Sequence, residues 1–451
     1  MKITIHRGGR QIGGCITEIE TNEGHRIFID LGENLSSNNE EGTEDPWKAK
    51  VNALKANAVF YTHHHGDHVG LSSYVDDNVP QYISEGGKRV LVEIQKHIPN
   101  GNPAIFERLN SFEPNTTFTL DGVPEIEMIT PIRVSHSAFE SCMFYIRVNG
   151  VNILHTGDFR LHGIQDTDIL EDIKKLAKDV DILIVEGTML NRNEYDGKES
   201  KVPWDEQSLC DVTKKLLSKK PKYPQFKFVY AISSSTDPER LWSFYSANHA
   251  IKYGEEHCRL FVVDKYQRDM FRAFSQLSEE LEVPYKFDGE EIREFKYDDT
   301  VLLEDMERRG ALILLRANKW EFSKANFILN RFRKQKSLCL YSAWIGYLSE
   351  RFQSLNRTGN WTSYDESYTP HENLIRLFGS HYIPRKPLHT GGHARRDDIL
   401  AMCKAVNPST AIIPIHKDAS ADFLSLDGLG VLKERVFQPD KDFGDIQIEV
   451  K

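Results

Sequence analysis

Tyr61-Thr62-His63-His64-His65-Gly66-Asp67-His68 sets His63, His65, Asp67 and His68 in an H-x-H-x-D-H pattern, directly after the apolar Ala58-Val59-Phe60 and before Val69-Gly70. Alternate residues of an extended segment point the same way, so His63 and His65 can grip one ion together. Asp67 and His68 lie past the Gly66 turn and can face a second. Imidazole and carboxylate suit Zn²⁺, and catalytic zinc sites leave a position open for water. Histidines are scarce, 17 in 451 residues, so chance is a poor account of the cluster.

One loop does not supply two ions, so further ligands should stand singly at strand ends. Three places have that form: Ile132-Arg133-Val134-Ser135 runs into His136, Val151-Asn152-Ile153-Leu154-His155-Thr156-Gly157 runs into Asp158, and Ala411-Ile412-Ile413-Pro414-Ile415 runs into His416. Each repeats the order of apolar strand, then ligand.

With Asp30 in Ile27-Phe28-Ile29-Asp30-Leu31-Gly32, these motifs in this order resemble the metallo-β-lactamase fold superfamily. Three more features narrow the likeness: Asp181-Ile182-Leu183-Ile184-Val185-Glu186-Gly187-Thr188, Leu388-His389-Thr390-Gly391-Gly392-His393-Ala394, and His416 after the next strand. This set is similar to the β-CASP nucleases, in the branch of RNase J and the endonuclease of messenger 3′-end processing. Gly8-Gly9-Arg10-Gln11-Ile12-Gly13-Gly14 also fits that family's opening hairpin.

The resemblance implies an αββα sandwich with an inserted α/β β-CASP cap domain. It implies one zinc on His63, His65 and His136, another on Asp67, His68 and His416, and Asp158 bridging them, with manganese as the alternative metal. Asp30 would support the ligands from behind, and the bridging water or hydroxide would be the nucleophile. Glu186, His393 and His416 would match the three extra motifs, the last in the form associated with RNA-acting members. Asp67, Glu186 and His393 are the expected catalytic residues. Fold alone leaves the substrate open.

The chemistry gives those residues work. Phosphodiester hydrolysis expels an alkoxide, and a positioned imidazolium can protonate it. His393 is the candidate general acid, with Glu186 holding the ring and favouring its charged form. His389 either contacts phosphate or lines the loop. The expected function is a zinc-dependent ribonuclease on single-stranded RNA, cutting internally or from the 5′ end. The alternatives are a DNA nuclease of the same fold and a small-molecule metallo-hydrolase, though an ester hydrolase needs neither the Glu186–His393 pair nor an inserted domain.

Ligands and proton-transfer groups fall between Asp30 and Glu186 and again from His389 to His416, which predicts a metal domain over 1–195, an insertion over 196–381 and a return segment over 382–451. Within the insertion, Phe226 to Ile232, Leu260 to Val263, Ala311 to Leu315 and Leu338 to Tyr341 read as strands alternating with helices. One helix opens at Thr236 or Asp237 with Pro238 in its first turn. That alternation predicts a parallel sheet, and a cleft beside the metal domain would receive the substrate.

A net charge of −10 argues against a nucleic-acid partner until the local pattern is read. Arg385-Lys386 and Arg395-Arg396 flank the His389 to His393 loop and could track backbone phosphate. Trp344 and Tyr347 are candidates to stack on a base or to lie in the core. The six cysteines, Cys15, Cys142, Cys210, Cys258, Cys339 and Cys403, show no C-x-x-C pair and read as free thiols of a reducing compartment. No run reaches about 18 apolar residues, and Met1 to Arg7 reads as a strand, so a cytoplasmic enzyme with no membrane partner is expected, a homo-oligomer being allowed. Three departures from the RNase J pattern stand out: Gly391 replaces a serine, Ser342-Ala343-Trp344-Ile345-Gly346-Tyr347 stands where relatives show an Ile-Pro-Gly-Asn-Glu-like turn, and with Lys451 soon after His416 no separate C-terminal domain is expected.

Overall fold

A computed structural model of the chain describes residues 1–35, 44–164, 168–191, 205–219, 225–253, 257–281, 283, 285–289, 291–344, 370–379, 382–383, 388–437 and 446–449. Two compact units are present: Met1–Leu161 with Gln165–Glu194 and Gly392–Lys451, and His162–Ile164 with Tyr195–Gly391. The second boundary differs from the expected 381/382, and His389 falls in the second unit. Leu388 N donates to Tyr341 O at 3.1 Å and Arg240 Nη2 donates to Thr390 O at 2.7 Å, which ties this stretch to the second unit's own sheet and helix.

The first unit holds two sheets. One orders Ile446–Glu449, Lys2–Arg7, Ile16–Glu20, Arg26–Leu31, Ala58–Phe60, Gln81–Ser84 and Asn110–Phe112; the other orders Ala411–Ile415, Ile182–Glu186, Val151–His155, Cys142–Val148 and Ile126–Arg133. The inner strands, such as Arg26–Leu31, Cys142–Val148 and Ile182–Glu186, are buried on both faces, so both faces must be covered. Ile27, Ile29 and Phe60 of one sheet pack with Phe144, Ile153, Ile184 and Ile413 of the other. The alternate residues turn outward. Phe28, Val59 and Ile83 meet Leu91 of the helix Glu85–Gln95, while Met143, Leu154, Leu183 and Ile412 meet Ile173, Ile399 and Met402 of the helices Ile169–Leu176 and Arg396–Val406. The result is an α/β/β/α sandwich.

Register gathers the motif residues. Val151–His155, Ile182–Glu186 and Ala411–Ile415 run parallel, with Ile184 beside His155 and Glu186 beside Ile415, so the segments bearing Asp158, Glu186 and His416 leave at one edge. In the facing sheet, Ile29 pairs in parallel with Phe60, and Asp30 and the histidine loop leave together.

The second unit is built on a parallel sheet ordered Ile292–Glu294, Leu260–Val263, Ala311–Leu315, Phe228–Ser233, Ser337–Ser342 and Tyr382–Ile383. Leu302, Met306, Phe322, Ile328 and Leu374 cover one face. Asp237 caps the helix Pro238–Ala250 by accepting from Arg240 N, with Pro238 at its start, which is the reading the sequence favours. Within this unit the Arg240 guanidinium is buried against Glu206, at 2.7 Å.

At the edge of the first unit, burial alone would raise the Glu18 carboxyl, but hydrogen bonds from His6 and Arg26 bring it from 4.5 down to about 2. A folded-state value below the ordinary one stabilises the fold above the ordinary range and loses that effect as pH falls. Glu18→Gln should therefore cost about 2 kcal/mol at neutral pH. In thermal melts the gap to the parent should close as pH drops from 4.5 toward about 2; a gap that does not change with pH would contradict this.

Candidate metal centre

After the strand Ala58–Phe60 the chain bends at Thr62 and His64, is extended at His65 and then turns into the short helix Gly66–Val69, which carries Asp67 and His68. The loop is seated against the opening hairpin: Cys15 N donates to Asp67 O at 2.9 Å, and Gly32 N donates to Cys15 O at 3.0 Å. A Cβ on Gly32 would lie 1.7 Å from Asp67 O, so only glycine fits there.

His63 Nε2 lies 3.1 Å and His136 Nε2 3.2 Å from His65 Nδ1, so three ring nitrogens converge. Their outer nitrogens are fixed from behind. Thr62 Oγ1 is 2.9 Å from His63 Nδ1, and His136 Nδ1 is 2.6 Å from Gly392 O, to which it donates. Burial, with the neighbouring histidines, holds His63 and His136 well below the usual imidazole range and brings His65 to about 4. Neutral imidazoles with converging lone pairs are what a metal requires.

Asp158 joins this trio to a second group. Its Oδ2 is 3.2 Å from His68 Nε2, 3.8 Å from His136 Nε2 and 3.9 Å from His63 Nε2, while Oδ1 is 2.7 Å from His416 Nδ1. His416 Nε2 in turn faces Asp67 Oδ2 at 3.5 Å. His68 Nδ1 donates to Asp30 Oδ2 at 2.7 Å, and Asp30 also accepts from Thr62 N at 2.8 Å. His68 Nε2 and His416 Nε2 are buried without a hydrogen bond of good geometry, and in the neutral rings these nitrogens would be free to hold a cation. Burial opposes charge on both rings, yet Asp158 and the other acidic neighbours outweigh it and raise both well above the usual range. Asp30 and His416 adopt left-handed backbone, φ 60° and 48°, a conformation that clusters at functional sites.

Asp30→Asn removes the charge that orients His68 while keeping an acceptor for Thr62 N. Metal affinity, read by chelator competition, should fall about 10–100-fold; an unchanged affinity would show that Asp30 does not set the His68 ring.

His393 stands beside these groups. Its Nδ1 is 3.1 Å from Glu186 Oε2 and 3.5 Å from Asp158 Oδ2, and its side chain keeps 25% of its exposure, so a reacting group can reach it. Burial lowers its basicity, but Glu186 and Asp158 prevail and leave it raised. Glu186 is fully buried, its Oε1 accepting from Phe159 N at 2.8 Å and Ala394 N at 3.3 Å.

The expected substrate contacts fare differently. His389 Nδ1 accepts from Arg240 Nη1 at 3.1 Å inside the second unit. Trp344, half-buried, follows the strand Ser337–Ser342 of that unit, and its carbonyl accepts from Tyr341 Oη. Arg395 caps the helix Arg396–Val406, its N–H donating to Asp398 at 3.1 Å. Arg396 donates to the carbonyls of Leu190 and Ser425, at 2.8 and 2.7 Å, which anchors its helix. Arg385, Lys386 and Tyr347 lie outside the described residues.

Sequence reasoning missed Thr62, Gly392, Thr188 and Cys15. Thr188 Oγ1 donates to His416 O at 3.1 Å. Cys15 Sγ shares a group with ring nitrogens of His68 and His416, all within 4.8 Å of one another. Burial outweighs these two histidines and pushes its thiol to about 11.

Residues 25–211 match the family model described as a beta-lactamase superfamily domain, a span that runs from before Asp30 past Glu186. The chain is also similar to a solved structure described as a protein of unknown function from Enterococcus faecalis V583, at 18% identity, 99% coverage of both chains and a TM-score of 0.67. Over residues 25–211 the sandwich is thus similar to a beta-lactamase superfamily domain, and its His and Asp clusters could hold metal. Among the described residues no helix is long and apolar enough to cross a membrane.

Proposed function

We propose that the protein is a zinc-dependent ribonuclease of the β-CASP type, hydrolysing phosphodiester bonds of single-stranded RNA. The observation that carries this reading is the Glu186–His393 pair beside the His/Asp cluster, with His393 Nδ1 3.1 Å from Glu186 Oε2 and 3.5 Å from Asp158 Oδ2. Bound divalent ions would supply Lewis acidity and an acidified water. His63, His65 and His136 would hold one ion and Asp67, His68 and His416 the other, with Asp158 between.

The protein's own residues supply the rest. With Nδ1 turned to Glu186, His393 offers Nε2 as a proton donor, and the buried carboxylate favours the charged ring. Protonating an expelled alkoxide is the step an ester bond of a nucleic-acid backbone demands and an activated acyl ester does not. A parallel α/β unit inserted between the motif blocks adds surface beyond what a small substrate needs.

The test is a substrate panel: protein of measured metal content with single-stranded RNA and the same sequence as DNA, each labelled at either end, and a small acyl ester. Loss of RNA is expected, and its product ladder separates internal from end-directed cutting. Preferred cutting of DNA, or hydrolysis of the ester alone, would overturn the substrate assignment.

A further inference from the structure

Within the first unit, the pocket shared by His68 and His416 contains a donor of a different kind. Cys15 is 1% exposed and follows Gly13-Gly14, both of which adopt left-handed backbone. Its backbone is clamped on both sides, N to Asp67 O and O to Gly32 N, so the sulfur is held by the same contacts that seat the ligand loop. Space for it is provided by Gly8, at φ 98°: a Cβ there would stand 3.2 Å from Sγ and 3.7 Å from the backbone N of His416. A Cβ at position 8 would crowd the sulfur, while its contact with the His416 backbone would be an ordinary one.

The groups around the sulfur point to a ligand. His68 and His416 are each 1% exposed in their side chains, and neither Nε2 makes a hydrogen bond of good geometry, although Asp158 Oδ2 lies 3.2 Å from the first and Asp67 Oδ2 3.5 Å from the second. Sγ and ring nitrogens of both histidines lie within 4.8 Å of one another, with Asp67 Oδ2 3.5 Å from His416 Nε2. Two imidazoles, a carboxylate and a thiol form a donor set that suits zinc. Zinc bonds of about 2.0–2.1 Å to nitrogen and 2.3 Å to sulfur would draw these atoms together by about an ångström.

We infer that Cys15 is a sulfur ligand of the ion held by Asp67, His68 and His416, an assignment that rests on the two-ion reading above. Coordination replaces the thiol proton, which leaves to solvent, by the metal, with no change of oxidation state. It makes the two positions chemically unlike: nitrogen donors and Asp158 on one side, a mixed nitrogen, oxygen and sulfur set on the other. The sulfur-bearing position should be the one that distinguishes soft-tolerant zinc from hard manganese.

Cobalt(II) tests this without reference to activity, because a thiolate ligand adds a near-ultraviolet sulfur-to-cobalt charge-transfer band that imidazole and carboxylate do not give. Metal-stripped full-length protein loaded with about two cobalt ions should show the band. In Cys15→Ser the band should vanish while the first ion stays bound, and affinity for the second should fall about 10-fold or more. X-ray absorption at the zinc edge of the unaltered protein should likewise show a zinc–sulfur distance of about 2.3 Å. Two bound ions with no sulfur band in the parent, or a band that persists in Cys15→Ser, would overturn the Cys15 assignment alone. A parent protein that takes up no ion would overturn both it and the proposed function. The parent spectra decide the matter even if the variant does not fold.

Discussion

Replacing His393 with alanine is expected to slow RNA cleavage about 10²–10⁴-fold while leaving the metal content of the protein unchanged. His393 is not in the converging nitrogen trio and its Nδ1 faces Glu186 Oε2 at 3.1 Å, but it also groups with Asp158 and His416, so the metal content is the readout that separates proton transfer from ligation. On the proposed function, the variant would lack the donor that protonates the departing oxygen. The defect should therefore shrink on an RNA whose leaving oxygen is replaced by sulfur, since a thiolate departs without a proton. Glu186→Gln should give a smaller loss in the same direction, because Oε1 keeps its hydrogen bonds from Phe159 N and Ala394 N only if the amide oxygen takes that place. A His393→Ala protein that cuts at the parent rate, or one equally slow on both substrates, would remove the general-acid role.

Asp158→Asn should have the larger effect on metal. Asp158 is the one carboxylate within 4 Å of nitrogens of His63, His68, His136 and His416 among the described residues, and it is buried. Its loss takes away the negative charge that a pair of cations needs between them, and several kcal/mol of interaction corresponds to a loss of at least about 10³-fold in affinity for one ion. Metal analysis after gel filtration should find that ion missing and cleavage gone. The same change leaves His68 and His416 short of a counter-charge, so the metal-free variant should unfold about 3–5 kcal/mol more easily than the metal-free parent. Full metal retention with normal cleavage would contradict the bridging position.

What could be read in the sequence, and what could not, follows from how local each signal is. His63, His65, Asp67 and His68 are legible because their spacing and a strand-to-helix turn bring them together within one loop. His136, Asp158 and His416 are legible as strand-end residues, and parallel register then delivers Asp158 and His416 to the edge where Glu186 also emerges. Asp30 had no support from spacing; its link to His68 is made by pairing of Ile29 with Phe60, a contact across the sheet. The four-layer sandwich was implied by resemblance, and its inner strands, buried on both faces, are visible as continuous runs.

The misses share a cause. Cys15 is one of six scattered cysteines with no partner spacing, and only the fold brings its sulfur to His68 and His416. Gly392 acts through a carbonyl, which every residue has, so nothing in its identity marks it as the acceptor for His136 Nδ1. Charge and position group Arg396 with Arg395, and nothing in the sequence marks its bonds to the carbonyls of Leu190 and Ser425, which helix packing supplies. Nearness in sequence to His393 groups His389 with the metal domain, but the chain changes units at Gly391/Gly392 between them.

The most direct measurement is to strip the protein of metal, return zinc stepwise, and follow bound zinc and cleavage of single-stranded RNA in the same samples, with an Asp67→Ala, His68→Ala protein alongside. Cleavage that is absent after stripping, rises as the second position fills and reaches its plateau at about two ions per chain, with none in the double variant, is the predicted result. Full cleavage by the stripped protein, or about two ions bound with RNA left intact, would contradict the account.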